Sequence, residues 1–306
     1  MPWAIFFGSV AYCLYFDLRS PEQRLIDQTA GLPPVTTAEL FVLDDSQKMP
    51  AGQGFPLRPY GHEVAILDQK TITGEEAEQL AQIWRTREFG GGGAMCHYPV
   101  YGLRFRSGWR LLMETSICWE CINCYVEDQA GTFKWYGIGD LDRLNNKGEI
   151  DFTLLRKLRG LLPPPPKIGA AIAAHIGSSA LFSKQYAEAK TELDAAAQLD
   201  PQSYRIRNWR AIYFEKTGQP LLAIDEITVG LPYASKWQRE HAFAMRAKLR
   251  LKSGQLDAAL QDTTDALKEH DEGWSSSEHY QLRAEIYEKL GRKEDAEKDR
   301  QAAKPK

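Results

Sequence analysis

The chain is 306 residues long, 43% hydrophobic and 26% charged, with 38 Lys and Arg against 41 Asp and Glu and a formal net charge of −3. That length exceeds the usual single-domain size and predicts two domains, while 16 basic against 20 acidic residues up to Pro166 and 22 against 21 beyond it exclude the basic excess of a non-specific nucleic-acid binder. Five cysteines, four of them between positions 96 and 124, exclude the even, dispersed framework of a small disulfide-stapled domain.

The first predicted element is an apolar N-terminal segment, residues 1–20. Its body, "PWAIFFGSVAYCLYF" at residues 2–16, is nearly uncharged and has no basic residue before it; a bilayer span needs about 20 such residues, more than it has. Three membrane or export readings compete. Ser9-Val10-Ala11 has the small-x-small form of a cleavage site, a lipidated Cys13 needs a small residue where Tyr12 stands, and an anchor reading puts Arg19 and Arg24 and the body behind them in the cytoplasm. The remaining alternative is a first core strand or helix. The chain is accordingly expected in the cytoplasm or at the envelope, with membrane association through residues 2–16 in the latter case.

An α+β domain is predicted over residues 35–160, a small antiparallel sheet with helices on one face. "AELFVLD" and "HEVAILD" read as strands, and the period then changes. Thr73 and Glu76 have the spacing of a capping box, and Ala77, Leu80, Ala81 and Trp84 make one apolar helical stripe. The helix ends before Gly90–Gly93, which lacks the Lys-Ser/Thr of a phosphate loop. "YGLRFR", a turn at Ser107-Gly108, "WRLLMETSICWECINCYV" and "GTFKWYGIG" predict a strand meander, and "EIDFTLLRKLRGLL" a closing helix. His62-Glu63 would be an acid-base pair only beside a nucleophile, and none can be named.

"LLPPPPK", residues 161–167, is predicted as a stiff linker, because consecutive prolines continue neither a helix nor a central strand. Beyond it, over residues 168–304, the chain repeats in four units. Ala189, Ala223, Ala259 and Ala296 recur at intervals of 34, 36 and 37; Gly177, Ala211, Ala247 and Ala284 precede them by twelve, and Ala196, Gly230, Ala266 and Ala303 follow by seven. Gly218, Gly254 and Gly291 mark turns between paired helices, and small residues in step predict helices in close contact. The spacing over residues 170–303 resembles the tetratricopeptide repeat, departing from it at Thr263 and Arg300, where that family usually has a bulky apolar residue. The resemblance implies an all-α helical-hairpin array with a concave peptide-binding face. The segment "HDEGWSSSEH" at residues 270–279 falls between units and is read as a solvated turn.

The cysteines centre on one predicted hairpin. If Ser107-Gly108 closes it, opposed positions sum to about 215 or 216, which puts Cys96 near both Cys118 and Cys121, while Cys118 and Cys121 point to opposite faces of a regular strand. Zinc at Cys96, His97, Cys118 and Cys121 is one reading; a redox thiol is another. Small buried residues or a single disulfide is the preferred one, with no cofactor. Cys96, Pro99, Gly102, Leu103, Arg104, Cys118 and Cys121, within residues 38–127, resemble a C-x-x-P-x-x-G-[IL]-R and C-[FW]-x-C pattern in a group of uncharacterised bacterial proteins. That resemblance implies a domain and no reaction.

Taking Ala170, Tyr204, Glu240 and Ser277 as unit starts, the tetratricopeptide resemblance turns Arg205, Asn208, Lys216, Lys248 and Lys252 toward the partner, with Glu278, Glu285 and Glu288 in the last unit. Ala174 and Ser178 stand where the carboxylate clamp of chaperone-binding members needs Lys and Asn. The expected function is a non-catalytic protein-interaction module, its partner a protein or peptide with an acidic segment, joined to a small α+β domain. The alternative is zinc-binding or thiol-redox activity at Cys96, Cys118 and Cys121.

Overall fold

The computed structural model describes residues 31–57, 60–86, 89–90, 98–118, 123–127, 133–138, 152–270 and 276–304. Expectations concerning residues 1–20, Cys96, His97 and Cys121 lie outside them. Contacts divide the chain into two compact units, Met1–Asp140 with Thr153–Leu162, and Leu141–Phe152 with Pro163–Lys306.

The first unit is built on an antiparallel sheet. Its strands are β1 (Thr37–Met49), β2 (Phe55–Leu57), β3 (His62–Thr73), β4 (Phe89–Gly90), β5 (Tyr101–Ser107), β6 (Arg110–Cys118), β7 (Asn123–Glu127) and β8 (Phe133–Ile138), in the order β2-β3-β1-β5-β6-β7-β8-β4. Strand alternation sorts the central residues into two faces. Ala38, Leu40, Val42, Tyr101, Leu103 and Phe105 are buried on one, the face met by helix α1 (Glu75–Arg85), where Trp84 packs edge-on to Phe105 with centroids 6.4 Å apart. Helix α2 (Thr153–Leu161) buries Leu154, Leu155 and Leu158, and the Tyr101 hydroxyl donates to the Leu162 carbonyl just beyond it at 3.0 Å. Burial pushes the Tyr101 phenol well above its ordinary value, so it remains a donor.

The other face carries Phe41, Leu43, Phe55, Leu57 and Val64. Here Gly102 and Arg104 have structural reasons to be what they are. A Cβ at Gly102 would come within 2.5 Å of the Phe55 ring. The Arg104 guanidinium lies 4.9 Å from the Phe41 ring centre and 5.0 Å from that of Phe55, and pairs with Glu114 at 2.6 Å. Two motif residues thereby cover an aromatic cluster.

Two local expectations are corrected. Thr73 caps no helix, because it pairs with Thr37 as the last residue of β3; Gly74, at φ 64°, is the N-cap and makes no side-chain bond. Glu78 organises this end instead, accepting from the Val35 amide at 2.7 Å and from Arg85 at 2.6 Å, and the Arg85 hydrogen bond holds its carboxyl below the ordinary value. The β5–β6 turn is Gly108-Trp109, closed by the Ser107↔Arg110 pair, and β6 carries an extra residue, Leu112, between its pairings with Arg106 and Phe105. Opposed positions sum to 217 next to the turn and to 218 from Phe105↔Met113 to Tyr101↔Ile117, two or three more in the latter stretch than the expected 215 or 216: the later turn accounts for all but one, and the bulge adds that one by sliding one strand past the other.

The second unit is a series of four helical hairpins: α3 (Pro166–Phe182) with α4 (Tyr186–Leu199), α5 (Tyr204–Lys216) with α6 (Pro220–Gly230), α7 (Lys236–Lys252) with α8 (Leu256–Glu269), and α9 (Ser277–Lys289) with α10 (Lys293–Ala302). Pro166 occupies the first turn of α3, where its missing donor is harmless. Ala189, Ala223, Ala259 and Ala296 are fully buried, as are Ala211 and Ala247. At Gly177 a Cβ would meet Leu193 Cγ at 2.7 Å, so glycine is what lets α3 and α4 approach. The fold is thus an α+β unit followed by all-α helical hairpins.

Candidate peptide-binding surface

The first helices of the hairpins carry the expected contact positions. Their opening residues diverge: Ser235 closes a capping box with Gln238 at the start of α7, while α5 follows Ser203 without a side-chain cap bond. Neighbouring first helices touch, α3 with α5 and α7 with α9, and Lys252 of α7 pairs with Glu215 of α5.

On α5, Arg205 and Lys216 are exposed and Asn208 is half-buried. The Asn208 Oδ1 is shielded from solvent and accepts no hydrogen bond, an arrangement that costs about 1–3 kcal/mol for a buried acceptor. On α7, Lys248 and Lys252 are exposed. Lys252 reaches back to Glu215 of α5 at 2.9 Å, so its charge is already shared. Among the described residues neither Lys216 nor Lys248 forms an ion pair. His241, about two turns before Lys248, is surface-accessible, and its imidazole is held below its ordinary value by partial desolvation and then by the Lys248 charge, which favours its neutral form at pH 7. In the last hairpin Glu278, Glu285 and Glu288 are exposed, and Glu288 contacts Arg300. Ala174 and Ser178 are buried at 3% and 8% exposure; the first hairpin uses those positions for its own core.

Reasoning from the repeat overlooked an aromatic contribution. Phe182, 67% exposed, ends α3 and stands edge-on to Trp209 of α5 with centroids 5.6 Å apart. The signal was available: Phe182 is in step with Lys216, Lys252 and Lys289 at the same 34, 36 and 37 spacing. An exposed ring followed by cations at equivalent positions is a surface that can grip an apolar side chain and an acidic neighbour together.

Of the cysteine set, Cys118 is described and buried, and its Sγ accepts from the Tyr98 amide at 3.3 Å. Cys118 pairs with Asn123 and Ile117 with Cys124, so Cys118 and Cys124, both fully buried, point to opposite faces. No described helix is long and apolar enough to cross a membrane.

No family model and no curated protein matches the chain. Among solved structures it is similar to YrrB, a TPR protein with an unusual peptide-binding site, at 16% identity over 49% of this chain and 73% of that one, with a TM-score of 0.42. The MamA protein is similar at 16% identity over 54% and 86%, TM-score 0.46. The first TPR of Spaghetti (RPAP3), bound to an HSP90 peptide, is similar at 16% identity over 41% and 95%, TM-score 0.37.

Proposed function

We propose that the helical hairpins form a protein-interaction module whose first-helix face takes an extended peptide with an acidic segment. The observation that carries this reading is the pair of exposed cations without ion-pair partners among the described residues, Lys216 on α5 and Lys248 on α7, on the same set of first helices as the exposed Phe182 ring, which stands against the half-buried Trp209. Arg205 adds a third positive side chain. Lys252 contributes less, because Glu215 already occupies it.

The test is selection of peptides from a random display library on the full chain, followed by affinity measurement with the enriched sequences. Acidic peptides carrying an apolar residue should be enriched. Arg205→Glu with Lys248→Glu should weaken their binding about tenfold or more, with the difference growing at low salt, where charges on the order of 10 Å apart are unscreened. Equal affinity for the reversed protein, or no acidic enrichment, rejects this reading.

A further inference from the structure

The segment between the third and fourth hairpins holds more than a solvated turn. Glu240 lies in the second turn of α7, His270 is the residue that ends α8, and His279 is in the first turn of α9. Far apart in sequence, the three side chains meet at one point. Glu240 Oε1 is 2.6 Å from His270 Nδ1 and 2.8 Å from His279 Nε2, and one atom from each residue lies within 4.8 Å of the others. The two imidazole rings stand perpendicular, at 87°. Side-chain exposures of 18%, 11% and 15% make the site half-shielded and reachable from solvent.

Neighbouring bonds hold the ligands in place. Arg239, beside Glu240, forms a two-pronged ion pair with Glu269, beside His270, at 3.0 and 3.1 Å. At the start of α9 the Ser277 hydroxyl donates to the Ala303 carbonyl at 2.7 Å. Glu240, His270 and His279 thus project from backbone that is already fixed, which lowers the entropy lost on binding.

We propose that Glu240, His270 and His279 bind one divalent transition-metal cation of the zinc type, tying the third hairpin to the fourth. Two imidazoles and a carboxylate suit a borderline cation and leave a fourth position for water or a partner's side chain. In a tetrahedral site with bonds of about 2.0–2.1 Å, ligand atoms are about 3.3 Å apart; the carboxylate oxygen and the two nitrogens reach that separation by small side-chain rotations. The competing arrangement is a hydrogen-bonded cluster in which both imidazoles donate to one oxygen.

The experiment uses the full chain, stripped of metal by a chelator and titrated with Co2+ and Zn2+. Bound cobalt should give weak visible bands without the near-ultraviolet thiolate band, which separates this site from any cysteine site. Zinc should bind with one equivalent, compete with a chromophoric chelator, and raise the melting temperature. His279→Gln and Glu240→Gln should each weaken that equivalent at least tenfold and abolish the thermal shift, with far-ultraviolet circular dichroism as the check on folding, whereas Cys118→Ser should leave the oxygen-nitrogen cobalt signal in place. If the unsubstituted chain shows no such cobalt spectrum at about 100 μM metal, a result that depends on no variant's folding, or if zinc affinity is the same in His279→Gln, the proposal fails and the cluster is a hydrogen-bonded one.

Discussion

At the scale of single residues, the last three hairpins share an ion pair between their two helices. Arg210, Arg246 and Arg283 are in step, and so are their partners Glu226, Asp262 and Asp299, at 2.9, 2.8 and 2.7 Å. The third-hairpin pair is the most enclosed: side-chain exposure is 10% for Arg246 and 2% for Asp262, and Arg250 also donates to Asp262 at 2.8 Å. Removing one member of such a set strands the opposite charge. Asp262→Ala should therefore lower stability by about 3–5 kcal/mol, while Asp262→Leu combined with Arg246→Met and Arg250→Met should lose far less, because the desolvation of all three ions disappears with them. Urea midpoints provide the measurement, and a loss below about 1 kcal/mol for Asp262→Ala would show that the pair is not isolated from water.

At the scale of elements, all four hairpins turn in the same way. The amides of Gln185, Gln219, Gln255 and Arg292 each donate to the carbonyl five residues back, at 2.8, 2.8, 2.9 and 2.8 Å, closing a Schellman motif around a left-handed residue. That residue is glycine at 218, 254 and 291, with φ of 76°, 75° and 77°, but Lys184, with φ of 60°, in the first hairpin. A lysine there is strained by about 1–2 kcal/mol, part of which a glycine would return as entropy of the unfolded chain. Lys184→Gly is expected to stabilise the protein by about 0.5–1 kcal/mol, seen as a higher urea midpoint at unchanged slope. A lower midpoint would mean that the Lys184 side chain contributes more than its backbone strain removes.

At the scale of the whole molecule, the two contact units predict two folding units. A low-specificity protease applied briefly is expected to cut near residues 160–170, where the chain between α2 and α3 is non-helical over residues 162–165, and to release a C-terminal fragment with a helical spectrum and its own cooperative melt. A fragment that emerges unfolded would show that the hairpins need the sheet. The proposed peptide face and the proposed metal site both lie on the hairpins, so such a fragment should keep each of them.

The sequence by itself determined the repeat, its phase and the strand-helix alternation before it. Small residues at fixed offsets are a local requirement of helices in contact, so Ala211, Ala247 and their equivalents announce the packing wherever they recur, and the stripe Ala77, Leu80, Ala81, Trp84 announces the buried face of α1 in the same way. Tertiary structure alone decided the rest. The β5–β6 register turned on a turn at Gly108-Trp109 and on one extra residue, Leu112, neither of which leaves a mark in a pattern of alternation. Thr73 had the chemistry of a cap, but its backbone was claimed by β3, and pairing with Thr37 is invisible to local propensity. The cluster of Glu240, His270 and His279 was concealed for a similar reason. Its members are separated by 30 and 9 positions, a spacing with no motif in it, and they converge because α7, the end of α8 and α9 are brought together by the burial of Ala247, Ala259, Leu282 and Ile286 in a single core. Local chemistry specifies which side chains are present, and the non-local burial of apolar surface decides which of them meet.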